Sequence, residues 1–362
     1  MKKYSLVRKY STIGVIFLFM GTSIVPSIQS EFPIEKNIIT VDDEPGDADF
    51  TSIKEAVNAS SPGDTIEVYS GTYPEQEICI VKDNVTLLGI AHELGAGNDS
   101  GKPLIQGYKS GRILRVEASY VTVSNFRIEH PGAFDSVCIW VSDQQNITLT
   151  ECSIHNSKKA MNEGIQAGDC DNIKIINNDI SNCSRGISSG AHNPGSLTIT
   201  GNVITDCLYE GIDLYCDQQN VSGNRIKRCG YGIRISGTGN TIYGNDIESC
   251  PVGVYDPDSD YKHERGNTIT KNNFKNYSRD ARDAWWNRAV VLYFIGLYLS
   301  NKDTWIGNYW DTWIGVGPHR ILGWLVVGIA FVFYESGIGF IIPWFEYDRH
   351  PVKQPYDIPG FT

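Results

Sequence analysis

The sequence predicts an all-β fold, a parallel β-helix or solenoid of about eight to ten coils. Three observations predict it: a phrase that recurs every twenty-odd residues, short alternating β-branched runs inside each period, and no ten-residue stretch with helical apolar spacing in those periods. The phrase reads "NDISNCSRGI" at 178, "NVITDCLYEGI" at 202, "NRIKRCGYGI" at 224 and "NDIESCPVGV" at 245. A period of this size marks stacked units, none of which buries its apolar face alone.

The first element is set apart from the fold. Residues 1–30 run from the basic "MKKYSLVRKY" through the apolar "TIGVIFLFMGTSIV" to "PSIQS", the pattern of a secretory signal cleaved after Ser30. That segment carries Lys2, Lys3, Arg8 and Lys9 and no acid, so its removal deepens the whole-chain charge of −11. So acidic a surface repels phosphate backbones and excludes nucleic-acid binding as the expected function. Export predicts a secreted or cell-surface protein, and sequons at Asn58, Asn84, Asn98, Asn146, Asn182, Asn220 and Asn276 would make it a glycoprotein in a glycosylating host.

Residues 31–60 form the N-terminal strand and capping helix. "NIITVDD" reads as a strand, and "FTSIKEAVNAS" puts Ile53, Ala56 and Val57 on one helix face, a lid for the open edge of the first coil. Residues 61–280 are the coils. Asparagines 178, 202, 224, 245 and 272 fall at one corner and bond amide to amide, and an apolar residue follows each two positions later. Cysteines 183, 207, 229 and 250 form a second file, expected to be buried and mostly free, with one or two disulfides as the alternative. Gly186, Gly211, Gly232 and Gly253 are expected to permit bends.

Residues 281–362 hold seven of the eight tryptophans (285, 286, 305, 310, 313, 324 and 344), predicting an aromatic C-terminal cap on the last coil. The run 321–344 carries one charge, Glu335, and is long enough to span a membrane, so C-terminal membrane association is the competing expectation.

Two stretches carry family resemblance. "DFTSIKEAVNASSPGDTIEVYSGTYPE" looks like the opening of pectin-lyase-like β-helix proteins, and the coils resemble the NosD-type and carbohydrate-binding/sugar-hydrolysis repeat families. That resemblance covers roughly residues 38–280 and implies a right-handed, single-stranded helix. "GNYWDTWIG" and "PWFEYDRHPVKQPYDIP" resemble a C-terminal module of archaeal surface β-helix proteins. NosD relatives are linked with copper delivery. Three methionines and seven scattered histidines offer little soft ligation here, so no copper is expected.

Registering the coils on their glycines gives two outward columns. One runs Gln166, Ser188, Asp213, Arg234, Tyr255; the other runs Glu163, Arg185, Glu210, Tyr231. Glu210, Asp213 and Arg234 therefore meet on one face, either as a salt-bridge ladder or as the acid–base set of a polysaccharide lyase or glycoside hydrolase. "RIK" at 225–227 matches a polygalacturonase tripeptide by chance, since no "GHG" accompanies it, and the methylesterase signature is absent. No cofactor is expected; the candidate ligands for calcium are Asp256, Asp258 and Asp260, or the loop bearing Asp42, Asp43, Glu44, Asp47 and Asp49. The leading expectation is a non-catalytic surface protein that binds carbohydrate or other cell-envelope molecules on its side wall. The alternatives are a polysaccharide-active enzyme and a structural envelope component anchored through 321–344.

Overall fold

The computed structural model describes residues 36–95, 97–130, 135–156, 161–190, 195–257, 266–276, 282–285, 304–310, 319–329, 338–348 and 350–358. The 1–30 signal segment lies outside the described residues, as do Asp258 and Asp260. The chain winds into a right-handed parallel β-solenoid of about nine turns. Each turn contributes one short strand to each of three sheets, which hold 11, 10 and 11 strands among the described residues. The first sheet begins with Ile38–Val41 and Thr65–Val68 and the second with Thr72–Tyr73 and Leu104–Gln106. The third begins with Ile78–Ile80 and Gly111–Val116.

The strands are short and alternate because one face of each sheet looks into the solenoid. Thr65–Val68 and Thr86–Gly89 both bury every second residue, the period-2 signature of a half-buried strand. Inside, equivalent residues stack. Ile180, Ile204, Ile226, Ile247, Phe274 and Trp310 are register partners in turn, and the last two rings stack at 4.3 Å. The sequence-predicted apolar file thus extends one coil further, to the buried Trp310.

The asparagine file does the same. The side-chain amides of Asn178, Asn202, Asn224, Asn245 and Asn272 each donate to the carboxamide oxygen one coil on, at 2.9–3.1 Å, ending on Asn308. Each Asn Oδ1 also accepts the backbone N–H of the preceding member at 2.9 Å. Asp348 closes the file: its carboxylate accepts from the Asn308 and Gly307 amides and from Trp310 Nε1. These bonds satisfy polar groups that would otherwise be orphaned at a buried corner. A second file, Gln219–Asn240–Asn267, repeats the backbone half of this pattern: Asn240 Oδ1 accepts the Gln219 N–H at 2.7 Å and Asn267 Oδ1 the Asn240 N–H at 2.9 Å.

The glycine file works differently from the expectation. Gly186 has no left-handed backbone; a Cβ there would lie 2.5 Å from Gly211 O and 2.6 Å from Ile204 Cγ2. The glycines admit the neighbouring coil, and the left-handed corners fall on the residues before each cysteine, Asn182, Asp206, Arg228 and Ser249. The cysteines are free thiols, and Cys183, Cys207, Cys229 and Cys250 are buried.

At the N-terminal end, Ile53–Ala59 is helical, with Ile53, Ala56 and Val57 buried. Ser52 caps it, and the Glu75 carboxylate accepts from the Ile53 and Lys54 amides at 2.8 Å. At the other end parallel pairing continues past residue 280, through Arg282–Trp285, Thr304–Ile306 and Tyr309–Trp310. The stack therefore crosses the boundary that composition marks. The run 321–344 falls mainly in two antiparallel strands, His319–Ile329 and Ile338–Asp348. Among the described residues no helix is long and apolar enough to cross a membrane. The tail returns along the last coil, where Asn273 and Tyr356 exchange hydrogen bonds at 2.8 and 2.9 Å.

Candidate functional site

The outward face of the third sheet gathers the charged and aromatic residues. Its strands place Trp140, Gln166, Ser188, Asp213, Arg234 and Tyr255 in one register file. A second file carries Glu163 beside Arg185 and Glu210 beside Tyr231. Both columns follow the sequence spacing because each coil repeats the same strand at the same azimuth.

Of Glu210, Asp213 and Arg234, the last two pair directly, and Glu210 joins them through Arg185. Arg234 Nη1 lies 3.3 Å from both Asp213 oxygens and donates to the Tyr215 hydroxyl at 2.5 Å. Arg185, not singled out from the sequence, is the hub. Its Nη1 donates to Glu163 at 3.0 Å, and its Nε lies 3.1 Å from Glu210 and 3.3 Å from Asp213. The Ser188 hydroxyl donates to the other Glu163 oxygen. Asp213 is 0% exposed and Glu210 7%, so both carboxylates lie beneath their partners.

Burial dominates the electrostatics of Asp213. It pushes the carboxyl up to about 6, with Glu210 adding to the rise while Arg234 and Arg185 oppose it. Burial works against the charge on Arg185, but Glu163, Glu210 and Asp213 outweigh it and hold the guanidinium above its usual range. The same balance, with Asp213 the main partner, raises Arg234.

Aromatic groups flank this network. Tyr231 and Tyr255, both half-buried, stack at 5.0 Å with planes 25° apart. At the other end of the wall the guanidinium groups of Arg112 and Arg115 lie 4.7 and 5.4 Å from the centroid of the Trp140 ring. Around the following corner a polar cavity of about 410 Å³ is lined by Asp143, Asp169, Asp171 and Gln144 among others.

Among the described residues no donor set fits copper ligation. The four ladder thiols point inward, each donating to the carbonyl two residues earlier. Burial holds Cys183 well above its usual range; a bond to Cys207 raises Cys229, and a bond to Cys229 with burial raises Cys250. The clusters of potential ligands among the described residues are carboxylates alone. Of the calcium triplet, Asp256 falls on the strand Val252–Pro257, and its two companions lie outside the described residues.

The fold and this wall define a pectin-lyase-like parallel β-helix protein. The family model "Periplasmic copper-binding protein (NosD)" matches residues 100–315, more than half of the chain. The chain belongs to the NosD family. Among solved structures it is similar to an alginate lyase from Paenibacillus sp. str. FPU-7, at 15% identity over 68% of this chain and 93% of that one, TM-score 0.50. It is also similar to GH136 lacto-N-biosidase from Eubacterium ramulus, at 14% identity over 75% of this chain and 63% of the enzyme, TM-score 0.53. A C387A mutant of DFA-IIIase from Arthrobacter chlorophenolicus A6 matches at 14% identity over 75% of this chain and 76% of its own, TM-score 0.53. A search of curated proteins finds no match. At these identities the structural likeness establishes the fold.

Proposed function

We propose that this chain is an exported β-helix protein that binds carbohydrate along the outward face of its third sheet without turning it over. The single observation that carries this is the division of labour on that face. The carboxylates Glu163, Glu210 and Asp213 are buried and engaged by Arg185, Arg234 or Ser188, while Trp140, Tyr231 and Tyr255 remain partly open to solvent beside them. Partly exposed aromatic rings offer apolar contact area, and guanidinium groups donate hydrogen bonds to hydroxyls and carboxylates. A glycosidase instead needs two carboxylates that reach the scissile bond from either side. Export is supported by the periplasmic description of the family and by the composition of residues 1–30.

One observation favours a second reading, a polysaccharide lyase or hydrolase. Asp213, pushed up to about 6 beside Tyr215 and Arg234, has the near-neutral titration useful to an acid–base group. Glycan-array binding of the mature chain, run beside Tyr231→Ala, tests the first reading. Binding that weakens at least tenfold in the variant, with no new reducing or unsaturated ends, is the expected result. Release of such ends, abolished in Asp213→Asn, would establish the enzyme instead, and an array with no binding at all would sink both.

A further inference from the structure

The acidic loop that follows the first strand holds a carboxylate with nothing to balance it. Asp42 is 0% exposed, yet neither of its oxygens has a partner at hydrogen-bond geometry. One oxygen of Asp43, one of Glu44 and one of Glu93 are likewise buried and unpartnered. Ligand atoms of Asp42, Asp43 and Glu44 lie within 4.8 Å of one another, and so do those of Glu44, Glu93 and Asp99. Among the described residues no lysine or arginine pairs with any of these five.

A buried carboxylate without a counter-charge is costly, and five acids converging make it more so. The backbone nonetheless makes room for them. A Cβ on Gly71 would fall 2.1 Å from Asp43 Oδ1, and one on Gly97 would fall 2.4 Å from Glu93 Cδ. The Thr72 amide orients Asp43 at 2.9 Å, and the Asp99 amide orients Glu93 at 2.8 Å. The donor set is all oxygen, which suits a hard cation; calcium takes six to eight oxygens in flexible geometry, whereas magnesium demands a tight octahedron (about 2.0–2.1 Å).

We infer that Asp42, Asp43 and Glu44, extended through Glu44 to Glu93 and Asp99, form a calcium site that ties the loop after the first strand to Glu93 and Asp99. The bound ion supplies the charge that Asp42 lacks and locks the N-terminal end of the solenoid. It is separate from the third-sheet wall and stands whether or not that wall binds sugar.

The test is calorimetric titration and thermal unfolding of the mature chain, stripped with EDTA and then given calcium chloride or magnesium chloride. Calcium is expected to bind and to raise Tm by several degrees, with magnesium weaker. Asp42→Asn and Glu44→Gln are each expected to lose at least tenfold in calcium affinity. In EDTA both should unfold at or above the wild-type temperature, because each removes repulsion. Asp256→Asn should keep the wild-type response. No calcium binding, an undiminished response in both variants, a response lost equally in Asp256→Asn, or a lower Tm in EDTA for Asp42→Asn would each overturn the assignment.

Discussion

Arg234 Nη1 sits 3.3 Å from each oxygen of Asp213, its register partner on the preceding coil. Arg185, one coil the other way, holds the same carboxylate at 3.3 Å. A fully buried acid is thus clamped between guanidinium groups of two adjacent coils, and the wall's stability depends on keeping all three.

The first consequence concerns pH. Burial lifts the folded Asp213 carboxyl to about 6 from its ordinary 3.8, with the two arginines only partly offsetting it. Between those values the folded chain keeps a proton that the unfolded chain has released. This group's contribution therefore falls as pH rises through that window, by on the order of 3 kcal/mol in all. Asp213→Asn should flatten that part of the profile in urea unfolding measured from pH 4 to 7.5; an unchanged slope would contradict the assignment.

Arg234→Met should act in the same window with the opposite emphasis. At pH 7.5 it leaves the buried Asp213 charge to Arg185 alone and is expected to cost roughly 3–5 kcal/mol. Near pH 5 the carboxyl is largely protonated, so the cost should shrink. Equal losses at both pH values would mean that Arg234 contributes packing instead of charge.

Asn224→Ala interrupts the amide file at its middle. Asn224 Oδ1 accepts from the backbone and side chain of Asn202, while its amide donates to Ile199 O and Asn245 Oδ1. Deleting it strands donors and acceptors on both sides, for an expected loss of at least about 3 kcal/mol. Lys174→Ala, at an exposed strand position, should stay within about 0.5 kcal/mol. Chemical denaturation of the pair checks this.

Gly186→Ala adds one methyl group where Gly211 O and Ile204 Cγ2 already lie 2.5 and 2.6 Å from the new atom. The coils would have to part, and a cost of about 1–3 kcal/mol is expected. A thermal melt within a degree of wild type would show that the stack relaxes freely.

The thiol file should be chemically silent in the native state. Cys183, Cys207, Cys229 and Cys250 are free and buried, so a thiol reagent should modify them only after unfolding. Rapid labelling at any of the four, read by peptide mass spectrometry in native buffer, would contradict the inward placement.

Several of these residues are legible in the chain because a coil that repeats its length repeats its direction. Asn178, Asn202, Asn224 and Asn245 each stand five residues before their cysteine, and the outward columns keep constant offsets from each coil's glycine, so alignment on the glycines placed Asp213 beside Arg234. Asn308 was missed because 36 residues separate it from Asn272, a longer step than any before it in the file. Arg185 stood in the right column, but its reach to both Glu210 and Asp213 depends on a side chain crossing between columns. The calcium candidates read at Asp256 and on the loop from Asp42 to Asp49 each share one stretch of chain, whereas Glu93 and Asp99 approach Glu44 from a separate loop.

What the sequence determined by itself is the solenoid: which residues face inward, which stack, and which share an outward column. Translational repetition makes those properties local. What only the tertiary structure decided is where charge is buried and where it is left unbalanced. Whether Asp213 is covered, how Asp348 ends the amide file and how two acidic loops converge near Asp42 all depend on loop paths and side-chain reach, which no repeat encodes.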